Sequence, residues 1–245
     1  MNFEKNIVLF VPFYNEAKRE GIYEYLVSLS RLQGVKLVLV DDGSTDSTLD
    51  ILNQFCSPNI EIISNVKNSG KGEALRKAML EFISNNKHER IGFLDCDGAF
   101  PIDTVRSNLE KSTDKLSGEI QVFIASRIML AGRKVERKRH RHYISRIIIT
   151  LIGLKYSFMP YDSQSGFKLF RVSNQLKLSL QEPFKTKWLF DVELLDRITS
   201  QFESNVIWEE PVQEWYDKPG SHLKLKSIFS VFKDLSTLLF SKRGL

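Results

Sequence analysis

The 245-residue chain predicts an α/β fold: three layers, a mostly parallel central sheet between helices, and amphipathic helices added in the second half. Two observations carry that prediction. Short apolar runs alternate with stretches of helical periodicity from Ile7 to Ala125, giving five strands and four helices in succession. Three of the runs end in polar loops bearing carboxylates, and open α/β sheets take their ligands at that end of their strands.

Taken in order, Ile7 to Val11 is a buried strand, ended by Pro12 and followed by the polar and aromatic turn Phe13-Tyr14-Asn15-Glu16. Tyr25, Leu26, Leu29 and Leu32 then share a helical face, with Gly34 as a stop. Val35 to Val40 is a second strand that runs into Asp41-Asp42-Gly43-Ser44-Thr45-Asp46. Ser44 or Thr45 is a natural N-cap for the helix marked by Leu49, Ile51, Leu52 and Phe55. Ile60 to Ile63 is the third strand, and the loop Asn65 to Gly72 leads into a regular helix whose stripe is Ala74, Leu75, Ala78, Met79, Phe82 and Ile83. Ile91 to Leu94 forms the fourth strand and ends on Asp95-Cys96-Asp97-Gly98. A helix opening at Pro101 and a strand from Val122 to Ala125, leading to Ser126-Arg127, complete the series. The second half holds a basic run, an apolar segment from Tyr143 to Leu154, the stretch from Asp162 to Phe170, a helix around Phe190 to Thr199 and an amphipathic C-terminal helix.

Hydrophobic residues make up 42% and charged residues 27%, ordinary values for a globular domain, with no repeat or low-complexity run to mark a linker. Cys56 and Cys96 are the only cysteines, which argues against a disulfide framework; Cys96 reads as a small residue tucked into the sheet edge. Met1 to Lys5 is polar and the apolar run behind it is short, so no signal peptide is expected. No window approaches the roughly 20 apolar residues that span a bilayer. The absence of G-x-x-x-x-G-K-[ST], and of G-x-G-x-x-G after the first strand, argues against a P-loop NTPase and a dinucleotide dehydrogenase. No His/Cys cluster has zinc spacing.

In a parallel sheet the three polar loops share one edge. They bring an aromatic face in Tyr14, acceptors in Glu16 and Asp41 for a base and ribose, and the carboxylate pair Asp95 and Asp97. Two carboxylates so close repel each other unless a cation compensates, and hard oxygen ligands suit Mg2+ or Mn2+ shared with a diphosphate. Lys71, between two glycines that allow close backbone approach, is placed to contact phosphate. The chemistry so assembled is metal-dependent binding of a nucleoside diphosphate.

The ordered motifs V-P-F-Y-N-E, V-D-D-G-S-T-D, N-S-G-K-G, D-C-D-G-A, S-R, D-S-Q-S-G-F-K-L-F and W-L-F-D-V-E-L-L resemble the family-two inverting glycosyltransferases of the GT-A fold, over nearly the whole chain. Within them the sequence is closest to the dolichyl-phosphate or polyprenyl-phosphate sugar transferases. D-C-D-G-A and G-F-K-L-F resemble the glucosyl branch more than the mannosyl one, while His222 stands where the branch's closing motif has lysine. The resemblance implies a nucleotide-sugar donor, UDP in the first instance, and a polyprenyl-phosphate acceptor. It implies that Pro12, Tyr14, Glu16, Asp41 and Asp42 hold the nucleoside, with Asn15 and Ser44 of the same loops on the nucleotide side. Lys71 falls on the donor side, and Asp95 and Asp97 go to sugar, diphosphate and metal, Asp97 as the more direct ligand. Arg127, Ser165 and Lys168 are placed toward the acceptor, and Asp191 and Glu193 where hydroxyl-glycosylating members keep their base. The chain is then one glycosyltransferase domain, with 1–130 serving the nucleotide sugar and 131–245 facing acceptor and lipid.

From Arg133 to His142 the chain carries six Lys or Arg and two His against one Glu. Such a run binds any polyanion, nucleic acid included. Here it leads into Ile147 to Leu154, which fits a lipid surface better than a phosphate backbone, so no nucleic-acid partner is expected and Arg137 and Arg141 are assigned to the acceptor. A lipid phosphate is already mostly ionised at neutral pH and needs cations rather than a base; a sugar hydroxyl of a polysaccharide, the alternative acceptor, needs a base. Leu225, Ile228, Phe229, Phe232, Leu235, Leu238 and Leu239 fall near one face of the C-terminal helix. The expectation is a peripheral protein of the inner, cytoplasmic membrane face.

Overall fold

The computed structural model describes residues 7–85, 88–136, 139–156, 159–218 and 225–240. The first half runs β1 (Ile7–Phe13), α1 (Ile22–Ser30), β2 (Val35–Asp41), α2 (Thr48–Asn53), β3 (Ile60–Ser64), α3 (Lys71–Asn85), β4 (Arg90–Leu94), α4 (Ile102–Lys115) and β5 (Val122–Ser126). The second half adds β6 (Lys134–Glu136), α5 (Arg139–Gly153), β7 (Phe167–Arg171), α6 (Asn174–Gln181), α7 (Phe190–Thr199), β8 (Ile207–Pro211), β9 (Glu214–Tyr216) and α8 (Leu225–Phe240). Seven strands form one sheet in the order β3-β2-β1-β4-β7-β5-β8, so both halves of the chain build it. β7 is antiparallel to both its neighbours and the other strands run parallel, as a mostly parallel sheet requires.

The period of two sends alternate strand residues to opposite layers. Leu9, Val11 and Phe13 pack with Leu26 and Leu29 of α1 and with Val105 and Leu109 of α4. Val8 and Phe10 pack on the other face with Leu75 and Met79 of α3, Leu176 of α6 and Leu194 of α7. A third cluster joins Ile152 of α5, Val192 of α7, and Leu235 and Leu238 of α8. Phe10, Phe93, Phe123 and Phe170 are all fully buried, each worth about 1.5–3 kcal/mol of transfer free energy.

Two local expectations need correction. β1 does not end at Pro12 but carries it inside the strand, paired with Val40. Phe13 O accepts the Asp42 N–H at 2.9 Å, so residue 13 faces β2 and residue 12 faces the other way. There β1 has no partner beyond the Phe10–Phe93 pair, and the missing donor of proline breaks no ladder bond. Ser44 and Thr45 do not cap the helix after β2 either. α2 starts at Thr48, whose N–H is taken by Asp46 Oδ1 at 3.0 Å, because Ser44 and Thr45 are occupied by Asn15 across the cleft.

β2, β1 and β4 are adjacent and parallel, so their three loops do meet at one sheet edge. β5 runs the same way beyond β7 and delivers Arg127 to that edge. The small β6–β9 pair folds over it, with the Tyr216 N–H on Ala99 O at 3.0 Å.

Candidate active site

The centre of the site is the end of β4. The Asp95 N–H donates to Gly166 O at 2.8 Å. A Cβ added to Gly166 would stand 2.1 Å from Asp95 Oδ2, so only glycine lets the two segments touch. Lys71, the first residue of α3, forms an ion pair with Asp95 Oδ1 at 2.5 Å. An added Cβ on Gly72 would lie 2.5 Å from the Phe190 ring, which is how close α3 comes to α7 beside that lysine. The ammonium groups of Lys71 and Lys168 stand 5.4 and 5.2 Å from the centroid of the same Phe93 ring. Lys168 Nζ donates to Asp191 Oδ1 at 2.9 Å. Two lysines and two carboxylates thus surround one aromatic ring and balance one another.

Asp97 is the charge left over. Burial first and the neighbouring Asp95 second push its carboxyl above its ordinary pKa. Burial also works against the Lys71 ammonium, but Asp95 and Asp191 outweigh it and hold its pKa up. At Lys168 burial wins, and the pKa falls despite Asp191. A half-buried carboxylate pair in which Asp95 and burial both disfavour the charge of Asp97 fits a hard divalent cation. No group of three or more His, Cys, Asp or Glu gathers to hold an ion among the described residues, so substrate phosphate and water would complete the coordination sphere.

The first two loops lock together beside this pair. Asn15, at φ 53°, takes the Thr45 N–H on Oδ1 at 2.8 Å and gives its own N–H to Ser44 Oγ at 3.0 Å. Glu16 pairs with Arg19, and its N–H is held by Thr48 Oγ1 at 2.8 Å. Tyr14 is exposed and free to lie against a base, while Pro12 is buried in β1. Asp41 is buried and accepts the Ser64 hydroxyl at 3.0 Å. Asp42 accepts from Asn65 Nδ2, from the Ser69 N–H and hydroxyl, and from the Gly70 N–H at 2.7 Å. Its carboxylate therefore braces the loop that presents Lys71.

On the other side Arg127 is clamped by Asp162, which takes its backbone N–H at 2.8 Å, Nε at 2.7 Å and Nη2 at 2.7 Å. Burial opposes the guanidinium, but Asp162 more than compensates and raises its pKa. Ser165 and Lys168 are also here, yet both are fully buried: the Ser165 hydroxyl donates to Ala125 O, and Lys168 to Ser165 O and Asp191. Both side chains are enclosed by the fold, while the Arg127 side chain keeps some exposure. Asp191 and Glu193 do not act as a pair, because residues two apart on a helix face different ways. Glu193 accepts from the Lys185 N–H, the Thr186 N–H and hydroxyl, and Arg197 Nη2. Arg137 lies outside the described residues, and Arg141 is placed on α5.

Asp162, Gly166 and Asp234 emerge only from the structure as organisers of this site. Asp162 and Gly166 belong to the D-S-Q-S-G stretch, from which the sequence reading takes only Ser165. Asp234 takes the N–H groups of Lys187, Trp188 and Leu189 at 2.9, 2.6 and 3.3 Å and so anchors the start of α7. Its only signal in sequence is an acidic residue amid the apolar spacing of α8.

The mostly parallel sheet with helices on both faces, and a D-x-D pair at its edge, define the GT-A fold of glycosyltransferases. The glycosyl transferase family 2 model matches residues 8–198, and the chain belongs to that family. Among curated relatives, the dolichyl-phosphate beta-glucosyltransferase ALG5A of Trichomonas vaginalis is 30% identical over 237 residues, covering 93% of this chain and 71% of that protein. The dolichyl-phosphate beta-glucosyltransferase of Homo sapiens is 29% identical over 242 residues, covering 89% and 70%. The glucosyl-3-phosphoglycerate synthase of Mycobacterium tuberculosis, crystallised with Mn2+, uridine diphosphate and glucosyl-3-phosphoglycerate, shares the fold. Its TM-score is 0.67 at 17% identity, over 98% of this chain and 80% of that one.

Proposed function

We propose that this enzyme transfers glucose from UDP-glucose to a polyprenyl phosphate at a membrane surface, with inversion at the anomeric carbon. The observation that carries the choice of acceptor is the state of the two carboxylates at the base position. Asp191 is tied to the buried Lys168, and Glu193 is saturated by four donors. Neither suits a general base for a hydroxyl, whereas a lipid phosphate arrives ionised and asks only for cations such as Arg127. The relatives' names, which specify dolichyl phosphate and glucose, support the same reading.

Tyr14, Glu16 and Asp41 receive the nucleoside, and Lys71 exchanges part of its pairing with Asp95 for the donor's diphosphate. Mg2+ or Mn2+ on Asp97 and Asp95 would neutralise the charge that grows on the leaving diphosphate. Arg127 orients the acceptor phosphate toward the anomeric carbon, and the nonbridging oxygen attacks as the bond to the diphosphate breaks. Apart from Arg127, the first 130 residues serve the donor in this reading, and the remainder faces the acceptor.

Membrane attachment is peripheral in this reading, on the inner face, through the basic run and the apolar stripes of α5 and α8. Among the described residues no helix is long and apolar enough to cross a bilayer. The test is incubation of the purified chain with UDP-glucose, Mn2+ and a short polyprenyl phosphate, with the product's anomeric coupling constant read by NMR. A β-linked glucosyl phosphate is expected. An α linkage, or transfer to a sugar hydroxyl in place of the lipid, overturns it.

A further inference from the structure

Glu209 lies on the edge strand β8, outside every motif of the sequence, and its neighbours show what a carboxylate there ordinarily does. Glu210 faces α4, pairing with Lys111 Nζ at 2.7 Å and with Trp208 Nε1 at 3.1 Å. Strand alternation turns Glu209 to the opposite face of the sheet. There its Oε1 accepts the Ser126 hydroxyl at 2.8 Å and the Asp162 N–H at 2.6 Å, and its Oε2 accepts the Tyr161 N–H at 2.9 Å. All three donors belong to the two segments that hold Arg127: Ser126 precedes it on β5, and Asp162 clamps its guanidinium.

We propose that Glu209 is a positioning residue for the transfer reaction, fixing Arg127 through Ser126, Tyr161 and Asp162; the proposal rests on the reading of Arg127 as the acceptor's cation. Arg127 is otherwise held by Asp162, by Gln164 O, which accepts Nη2 at 2.9 Å, and by the Trp215 ring, whose centroid lies 5.3 Å from Cζ. Its Nη1 meets no protein acceptor among the described residues, so that nitrogen is the one offered to a ligand. Its aim depends on where Asp162 stands, and Asp162 stands where Glu209 holds the backbone of residues 161 and 162. The strut needs an acceptor-only group. Three donors converge on two oxygens, and a carboxamide would turn an NH2 toward at least one of them.

The same loop continues to Gly166, whose carbonyl takes the Asp95 N–H. A defect confined to the acceptor therefore distinguishes the strut from general loosening of the loop, which would disturb donor binding through Asp95 as well. The expected result for Glu209→Gln is a KM for polyprenyl phosphate raised about tenfold or more, the scale of losing a hydrogen bond to a charged group. The KM for UDP-glucose should stay unchanged. Glu210→Gln, the same charge change one residue away, should alter neither.

The second readout needs no acceptor. In 15N–1H spectra of arginine Nε–Hε groups, the Arg127 signal is assigned by its loss in Arg127→Lys. It should be sharp and slowly exchanging in wild type and Glu210→Gln, and broadened or fast-exchanging in Glu209→Gln. Ser126→Ala, which removes one donor of the strut, should move the same signal in the same direction by less, and serves if Glu209→Gln does not fold. An Arg127 signal unmoved in the folded variants overturns the proposal, as does a donor KM that rises with the acceptor's. A wild-type chain inert toward polyprenyl phosphate overturns the acceptor reading alone, and the spectra still decide the role of Glu209.

Discussion

A carboxylate that burial and a like charge both disfavour weakens the fold whenever it is ionised, and Asp97 is so placed. Its pKa is higher folded than unfolded, so the folded chain binds that proton more tightly. The stability linked to it is complete below the unfolded value of about 3.9 and is lost as pH rises through the folded value. Asp97→Asn should therefore melt above wild type at neutral pH and lie within about 0.5 kcal/mol of it in strong acid. It should also lose turnover and the added thermal stability that UDP with Mn2+ gives wild type. Melting curves with and without that mixture check both halves: equal midpoints at neutral pH remove the repulsion, and surviving ligand stabilisation removes the metal role. Gly166→Ala tests the seat of Asp95. With Oδ2 2.1 Å from the new methyl, something must shift, at about 1–3 kcal/mol of overpacking. Titration calorimetry should show UDP–Mn2+ affinity down about tenfold or more, since 1.4 kcal/mol already corresponds to that factor.

Asp234, in the middle of α8, ties that helix to the start of α7, beside the apolar contacts of Leu235 and Leu238 and the Tyr156 hydroxyl on Leu238 O at 3.0 Å. Asp234→Ala leaves the Lys187, Trp188 and Leu189 N–H groups without their acceptor, a loss of about 1–3 kcal/mol in urea unfolding that Asp234→Asn should partly restore. A midpoint equal to wild type would mean that the contacts of Leu235 and Leu238, the Tyr156 hydroxyl on Leu238 O included, hold the helix without Asp234. The strands and helices up to β5 were legible in sequence because each is a local signal, an apolar run or a helical stripe closed by a polar loop. The convergence of the loops after β1, β2 and β4 was legible too, since parallel strands leave no other arrangement. β6 and β9 are three residues each, too short for any period, and α6 announces itself only by the Ser173 cap on the Leu176 N–H. The place of β7 depends on which strands it reaches, which no window of sequence contains. Within the site, residue types were readable but partners were not: no window of sequence shows that Asp42, Ser165, Lys168 and Glu193 are each hydrogen-bonded to other parts of the chain.

The molecule as a whole keeps unusual apolar surface on two helices. Ile147 of α5 and Leu154, in the turn just past its end, are 62% and 82% exposed, and Phe229, Phe232 and Phe240 of α8 are 82%, 62% and 88% exposed. The single C-terminal face expected from the sequence is in fact divided, with Leu235 and Leu238 turned into the core and the phenylalanines outward. Phe229→Ser with Phe232→Ser should leave melting within about 0.5 kcal/mol of wild type, because nothing buried is lost. Sedimentation with anionic liposomes should fall severalfold in that variant, and high salt should weaken wild-type binding through the basic run. Equal sedimentation by variant and wild type would remove α8 from the membrane contact. The position of β7 has a further effect, on time rather than on geometry. β1 to β4 are joined by short crossovers and can associate as soon as they are made, but β5 has no place until β7 arrives to stand between it and β4. Gly166 comes with β7, so the support beneath Asp95 is among the last contacts to form. A chain emerging from the ribosome would own most of its sheet well before it could hold a nucleotide sugar.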